Sequence, residues 1–443
     1  MGLKYIEPIK SIVLLLLVLL SVLFTFSVWN FSPNYEPMEQ SQTIDISIAE
    51  KKTIDEIIKP YKMVINLKDQ VLGSIDASKI DIILSEMGNW EISDFRLVEQ
   101  KMDKFKISQL LQQPSQMTLY FPGEVPMLVY DNVLLMSDTN ITESTFNRLV
   151  IDWSQSTQLP LLHFISEENG LHYQAQILLT NKSSFLRNVV DVGQSVDEYV
   201  EIDRGNAPLL VVPKDAVTIT RNTYYQEEIN PHRFRDALFS DPNAVKRSQV
   251  DADRAEYGDD HAIMAINTKT KMLSYVMPAA ESKEIAIPSE LLLNTIDFIN
   301  EHGGWTDEFR FAYMNPISRY VEFQLYVDGL PVYSDQAGTN EITHKWGTSR
   351  TFKYIRPYYT LDVNVEKIDE ELPSGIEVAD ALKESDELDF DSIDEISVGY
   401  YLVHDENRRL LIAQPCWYYL IKDNWFRFMP AQYPGGGEQL GLE

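Results

Sequence analysis

The stretch Ile12–Trp29, IVLLLLVLLSVLFTFSVW, runs for eighteen residues without a charge. At the helical rise it extends about 27 Å, and with Ile9 and Phe31 at its ends it matches a bilayer core of about 30 Å. The run predicts a transmembrane helix over residues 11–30. Lys4 and Lys10 precede it, and the first Lys beyond it is Lys51. The positive-inside bias then places residues 1–10 as a cytoplasmic tail and the bulk of the chain outside the cell membrane, as a single-pass protein. Trp29, Phe31 and Tyr35 supply interfacial aromatics, and Pro33 and Pro37 stop the helix. A cleaved signal peptide is the competing reading, with Thr25-Phe26-Ser27 as a weak cleavage site. The length of the run and its continuation through Trp29 and Phe31 favour an uncleaved anchor.

Within this helix Ser11, Leu14, Val18, Ser21, Thr25 and Val28 recur at alternating spacings of three and four, which is one helical face. Small and hydroxylated side chains let a second helix approach closely and offer interhelical hydrogen bonds, so this face is the candidate partner-binding surface in the membrane. A chance pattern in a Leu-rich span is the plain alternative.

The rest of the sequence is acidic. The chain has 443 residues, with 38 Lys and Arg against 67 Asp and Glu, a formal charge of −29. Residues 1–10 carry +1 (Lys4 and Lys10 against Glu7), which leaves −30 for the remainder. Nucleic acid demands the opposite sign. The single cysteine, Cys416, excludes an intrachain disulfide framework and Cys-rich metal sites. A mean hydropathy of −0.21 excludes a polytopic membrane protein.

Beyond the anchor, short alternating elements predict an α+β fold in several domains, with boundaries expected at 31–140, 141–280 and 281–443. Thr53 and Glu56 have capping-box spacing for a helix over Lys51–Lys59, which Pro60 ends. Tyr61–Leu67 reads as a strand. Asp76 caps a helix to Met87, Gly88 stops it, and a strand follows from Trp90. Met117–Phe121 and Val125–Leu135 read as further strands. A tandem repeat is expected in the last two domains. In its first copy a helix at Thr142–Trp153 precedes strands Leu161–Ile165 and Leu171–Leu179. In its second, a helix at Ser289–Glu301 precedes Phe309–Tyr313 and Arg319–Tyr326, with Gln176 and Gln324 equivalent. Each copy then has a helix containing Asp-Ala-Leu (Asp236–Leu238 and Asp380–Leu382) and a hairpin ending on Pro (Ala265–Pro278 and Leu402–Pro415). Asn230-Pro231 and the capping-box spacing of Ser374 and Glu377 mark the two helix starts.

No nucleophile elbow, zinc-protease helix or phosphate loop occurs. The seven histidines include no i,i+4 pair; His163 and His172 lie on opposite arms of a hairpin and can approach, and strand-surface histidines are preferred to a zinc site. Asp389–Asp394 places Ile393 where a calcium loop needs a ligand and Asp394 where it needs Gly, so the acidic segment Glu384–Glu395 reads as solvated. Carboxylates abound, but nothing singles out a glycosidase pair. Cys416 reads as a packing residue, and the aromatic runs Tyr354–Tyr359 and Trp417–Phe428 as core and edge packing in preference to a glycan or peptide groove. Arg233 and Arg235 stand out as basic in an acidic chain and form a candidate ectodomain contact, with local pairing to Asp236 or Asp241 as the alternative. No catalytic, cofactor or metal residue is assigned, and the protein is expected not to be an enzyme.

The anchor followed by Trp29-Asn30-Phe31-Ser32-Pro33-Asn34-Tyr35, the segment Arg235–Pro242 (RDALFSDP), and Val321–Tyr333 with Val327-Asp328-Gly329-Leu330-Pro331-Val332-Tyr333 resemble the YycH family. The likeness runs from the anchor to Pro415-Cys416-Trp417, and its motifs are structural. The resemblance implies an extracytoplasmic regulator of Gram-positive bacteria with three outer domains. It implies action with the related single-pass protein YycI on the sensor histidine kinase WalK (YycG), which governs cell-wall metabolism, largely through transmembrane helices. The alternative is an anchored module that binds cell-wall polymer or peptide.

Overall fold

The computed structural model describes residues 48–137, 141–154, 159–178, 192–193, 195–205, 207–336, 338–386, 388–405 and 407–429, with Leu14, Leu16, Leu17 and Leu19–Ser21. The chain forms two compact units, Met1–Asp45 and Ile46–Glu443. In the first, the described residues are helical and exposed. Among the described residues no helix is long and apolar enough to cross a membrane; most of the Ile12–Trp29 run lies outside them.

The larger unit is built on two sheets. Among the described residues the first has ten strands. Across it they run Leu210–Pro213, Asp197–Ile202, Val71–Ser74, Lys62–Asn66, Gln116–Pro126, Thr145–Asp152, Leu161–Ser166, Leu171–Leu178, Glu91–Glu99 and Leu135–Met136. Every pairing is antiparallel except the last. The helix Ala77–Met87 turns Ile80, Ile83 and Met87 inward, at the spacing of one helical face. Asp76 caps it, its carboxylate accepting from the Ser78 N–H at 2.9 Å. An edge-to-face series from Tyr130 through Phe121, Phe146 and Phe164 to Phe95, with centroids 5.2–5.7 Å apart, runs through this core.

The second sheet has fourteen strands among the described residues. One wing runs Lys246–Gln249, Arg254–Gly258, Ile263–Asn267, Met272–Val276, Thr351–Pro357, Glu341–Trp346 and Tyr320–Val327, with Phe309–Asn315 also paired to the last. The other runs Leu330–Tyr333, Glu395–Asp405, Leu410–Ile421, Val217–Glu228 and Tyr359–Leu372, with Asn424–Arg427 beside Leu410–Ile421. The hairpin between Tyr320–Val327 and Leu330–Tyr333 joins the wings. Its turn is Asp328-Gly329, with φ values of 47° and 81°, the paired positive values that a two-residue hairpin of this twist requires. The helix Pro288–Glu301 buries Leu291, Leu292, Ile296 and Ile299.

Three local expectations are corrected. Thr142–Trp153 holds a strand, Thr145–Asp152, and no helix. Its apolar residues fall at helical spacing because the strand is central and covered on both sides: Leu149 and Ile151 join one core cluster and Val150 another. The Val125–Leu135 region leaves its strand at Pro126 for a buried helical turn, Met127–Tyr130. The two proposed repeat copies therefore open differently, one on a strand and one on the helix Pro288–Glu301, although both Asp-Ala-Leu helices and both hairpins form. The boundary expected at 140 falls within the run of chain that builds the first sheet, and that at 280 within the second.

Gly329 makes a fold-wide test. A Cβ there would collide with Ala77 of the first half, and the left-handed backbone adds about 1–2 kcal/mol for any L side chain. Gly329→Ala is expected to lower the urea unfolding midpoint of the full chain by at least that equivalent, whereas Gly205→Ala, with open space around it, loses only the backbone part.

Candidate functional site at the junction of the two sheets

The most unusual chemistry lies where the halves meet. Lys62, on a central strand of the first sheet, forms an ion pair with Glu395, the first residue of a central strand of the second. Both residues are buried, at 2% and 4% exposure. The Lys62 Nζ also lies 4.3 Å from the Tyr120 ring centroid, and the Arg148 guanidinium lies 4.5 Å from the same ring. Arg148 is held in turn by Glu167 at 2.6 Å. Tyr61, Val64, Tyr120, Tyr199, Val211 and Tyr326 close over these groups as one buried cluster. Burial pushes the Lys62 ammonium below its ordinary value, while Glu395 pushes back. Burial and then the Glu395 charge hold the Tyr61 phenol well above its usual range.

Other cross-links join residues far apart in the chain. Lys104 reaches Asp394 at 2.6 Å, and Arg204 donates to the carbonyls of Phe390 and Ile393 at 3.0 and 2.7 Å. The Ser289 hydroxyl donates to Glu143 at 2.7 Å. The segment Ile48–Ala49 donates its backbone N–H groups to the carbonyls of His302 and Gly303. The acidic segment Glu384–Glu395, expected to be solvated throughout, is corrected at its end: Asp394 and Glu395 are drawn to lysines of the other half, and Glu395 is buried. Beside the ion pair, Tyr61, Pro122, Tyr326, Tyr333, Ser397 and Trp425 line a small crevice. Tyr333 and Tyr418 pack at 4.3 Å, so these aromatics are largely engaged with one another.

The candidates for chemistry fall elsewhere. His163 Nδ1 lies 2.8 Å from His172 Nε2, and His163 Nε2 lies 3.7 Å from Asp152, so the two nitrogens of His163 face different partners. That is a hydrogen-bonded histidine pair with a carboxylate nearby on the next strand, and not a chelate. Among the described residues no group of three or more His, Cys, Asp or Glu is placed to hold a metal ion. Burial pushes the Cys416 thiol up to about 11, away from nucleophilic reactivity. Arg235 forms an ion pair with Asp236, and Arg233 donates to the Ile48 carbonyl at 3.3 Å; Phe234 between them is fully buried under Arg356. Both arginines therefore have intramolecular roles. Of the proposed membrane face, Leu14 and Ser21 are helical and exposed, while Ser11, Val18, Thr25 and Val28 lie outside the described residues.

Sequence reading missed the Lys62–Glu395 pair. A Lys inside the apolar strand KMVIN was the available signal, and its partner 333 residues away carried none.

These features define a sheet-rich α+β protein of two halves joined by a buried, charged and aromatic seam. The chain belongs to the YycH family: the YycH protein N-terminal domain matches residues 7–192 and the C-terminal domain matches residues 209–433. It is similar to the Two-component system WalR/WalK regulatory protein YycH of Bacillus subtilis (strain 168), 22% identical over 427 residues that cover 93% of this chain and 94% of the relative. Its fold is similar to the crystal structure of YycH from Bacillus subtilis, with a TM-score of 0.72 and 20% identity, covering 86% of this chain and 98% of that one.

Two predictions follow the geometry. Lys62→Met strands a buried Glu395 and is expected to cost about 3–5 kcal/mol in chemical denaturation, most of it recovered in Lys62→Met/Glu395→Leu. Burial first, and the neighbouring His163 second, push His172 down to about 4 from an ordinary 6.5. Between those values the unfolded chain binds more protons than the folded one. The contribution is therefore full above about pH 6.5 and is lost as pH falls towards 4. His172→Gln is expected to flatten the dependence of the urea midpoint on pH across that window.

Proposed function

We propose that this chain is a non-enzymatic accessory regulator of a WalK-type sensor histidine kinase, acting with a YycI-like partner. The observation that carries the reading is the end-to-end similarity to a protein named as a WalR/WalK regulator. In this reading one helix through Ile12–Trp29 holds the chain in the cell membrane, and the Ser11, Leu14, Val18, Ser21, Thr25 and Val28 face docks on the kinase's own helices. The outer body then engages the second regulator.

Such regulation requires the docked helix to bind one signalling state of the kinase more tightly than the other. A coupling of about 1–3 kcal/mol shifts the equilibrium between the two signalling states by about 5- to 150-fold, within reach of close helix packing and one or two interhelical hydrogen bonds. The acidity of the chain supports protein partners over anionic headgroups or wall phosphates.

The test uses the full chain in cells with a WalK-dependent reporter. A photo-crosslinking residue at Ser21 is expected to capture the kinase, whereas one at Leu19, about 160° around the helix, is not. Ser21→Leu with Thr25→Leu is expected to move reporter output most of the way to that of the deletion strain at unchanged protein level. Equal capture at both positions, or unchanged output, would overturn the reading.

A further inference from the structure

The second sheet ends on a long strand, Tyr359–Leu372, which pairs along one side with Val217–Glu228. Among the described residues no strand pairs with its other side. The first part of this edge is irregular, with register shifts opposite Tyr224 that bend and blunt it. The second part is regular. From Glu366 opposite Thr223 to Leu372 opposite Val217 the ladder is unbroken over seven residues. Among the described residues no strand covers its outer row of backbone N–H and C=O groups, and Ile368 within it is 40% exposed. An open, regular edge with an exposed apolar side chain is a template for one more strand.

The charges select the occupant. Tyr359–Leu372 holds Asp362, Glu366, Asp369, Glu370 and Glu371 against Lys367 alone, a net −4. Arg221 on the paired strand lies 3.2 Å from both Glu366 and Glu370, and Thr220 donates to Asp369 at 2.7 Å; counting Arg221 (−4 + 1) the edge still carries −3. On an extended strand Glu366, Ile368 and Glu370 share one face, and Lys367, Asp369 and Glu371 the other, so both faces carry acid. A second copy of this chain is a poor occupant: antiparallel pairing centred on the strand sets Asp362 against Asp369, and like charges directly opposite are destabilising. The chain's own segment 431–443 is poor too, since it carries Pro434, Gly435–Gly437 and two Glu.

We propose that the edge Glu366–Leu372 is a strand-addition site for an extended segment of another protein that carries Lys or Arg at alternate positions between β-branched residues. Main-chain hydrogen bonds supply the affinity. The acidic side chains on both faces supply the specificity and exclude acidic strands, this one included.

The experiment uses the full chain in detergent and three probe peptides. Lys-Val-Lys-Val-Lys-Val-Lys-Val is the positive probe; the second has two Val replaced by Pro at unchanged charge, and the third has Glu for every Lys. Amide hydrogen exchange is followed along the chain. The Lys-Val peptide is expected to slow exchange at least about tenfold at the outward-facing amides of 366–372, which alternate with those already bonded to Val217–Glu228, and not elsewhere, which corresponds to about 1.4 kcal/mol. The Pro peptide and the Glu-Val peptide are expected to leave it unchanged. Glu371→Lys, an exposed position, is expected to weaken the protection at least several-fold without moving the unfolding midpoint. Equal protection by the Pro peptide would reduce the effect to charge and overturn the proposal. So would protection confined to other segments, or none at all. Protection of the outward-facing amides of 366–372, those not bonded to Val217–Glu228, in the chain without peptide would also overturn it, its concentration dependence separating a second copy from the chain's own tail.

Discussion

A lysine ammonium and a glutamate carboxylate placed out of water are each destabilising alone, and the larger unit of this protein holds one of each on different sheets. Lys62 and Glu395 are tolerated only in the arrangement that brings them together, so the pair acts less as a source of stability than as a constraint on how the halves meet. The surrounding tyrosines follow from it. Their rings exclude water from the pair, and the Tyr120 ring lies against both Lys62 and Arg148. Misplacing the halves by one strand register would bury two unpaired charges.

The same logic accounts for glycines at the seam. Gly123 lies against the Ala312 backbone and Gly329 against Ala77, so side chains there would hold the halves apart. Around the seam, cross-links from Lys104, Arg204, Ser289 and the Ile48–Ala49 backbone tie residues far apart in sequence.

Local signals in the sequence were legible where a single residue type dictates a backbone state. Asp76, Ser374 and the Thr53/Glu56 capping box mark helix starts because their side chains satisfy N–H groups that nothing else can. Both Asp-Ala-Leu helices and the hairpins around them were visible in the same way. Thr142–Trp153 was not, because periodicity reports which residues are buried and not which backbone buries them. A strand covered on both faces can spell a helical pattern. The seam was least legible. Its ion pair, its cation–π contacts and its crevice join residues hundreds of positions apart, and no local pattern encodes such a pairing.

The apolar run Ile12–Trp29, the acidic balance, the lone cysteine and the family resemblance follow from sequence alone, since each depends on composition or on neighbours along the chain. What only tertiary structure decided is which charges are buried together, which histidines share a hydrogen bond, and which described strand ends the sheet. Those depend on long-range pairing, where each residue's environment is set by partners that chain order does not name. The −29 charge shows the division well. Composition states its size, and folding decides that Glu395 and Asp394 fasten the halves while Glu366 and Asp369 bond to the neighbouring strand and Glu371 stays exposed.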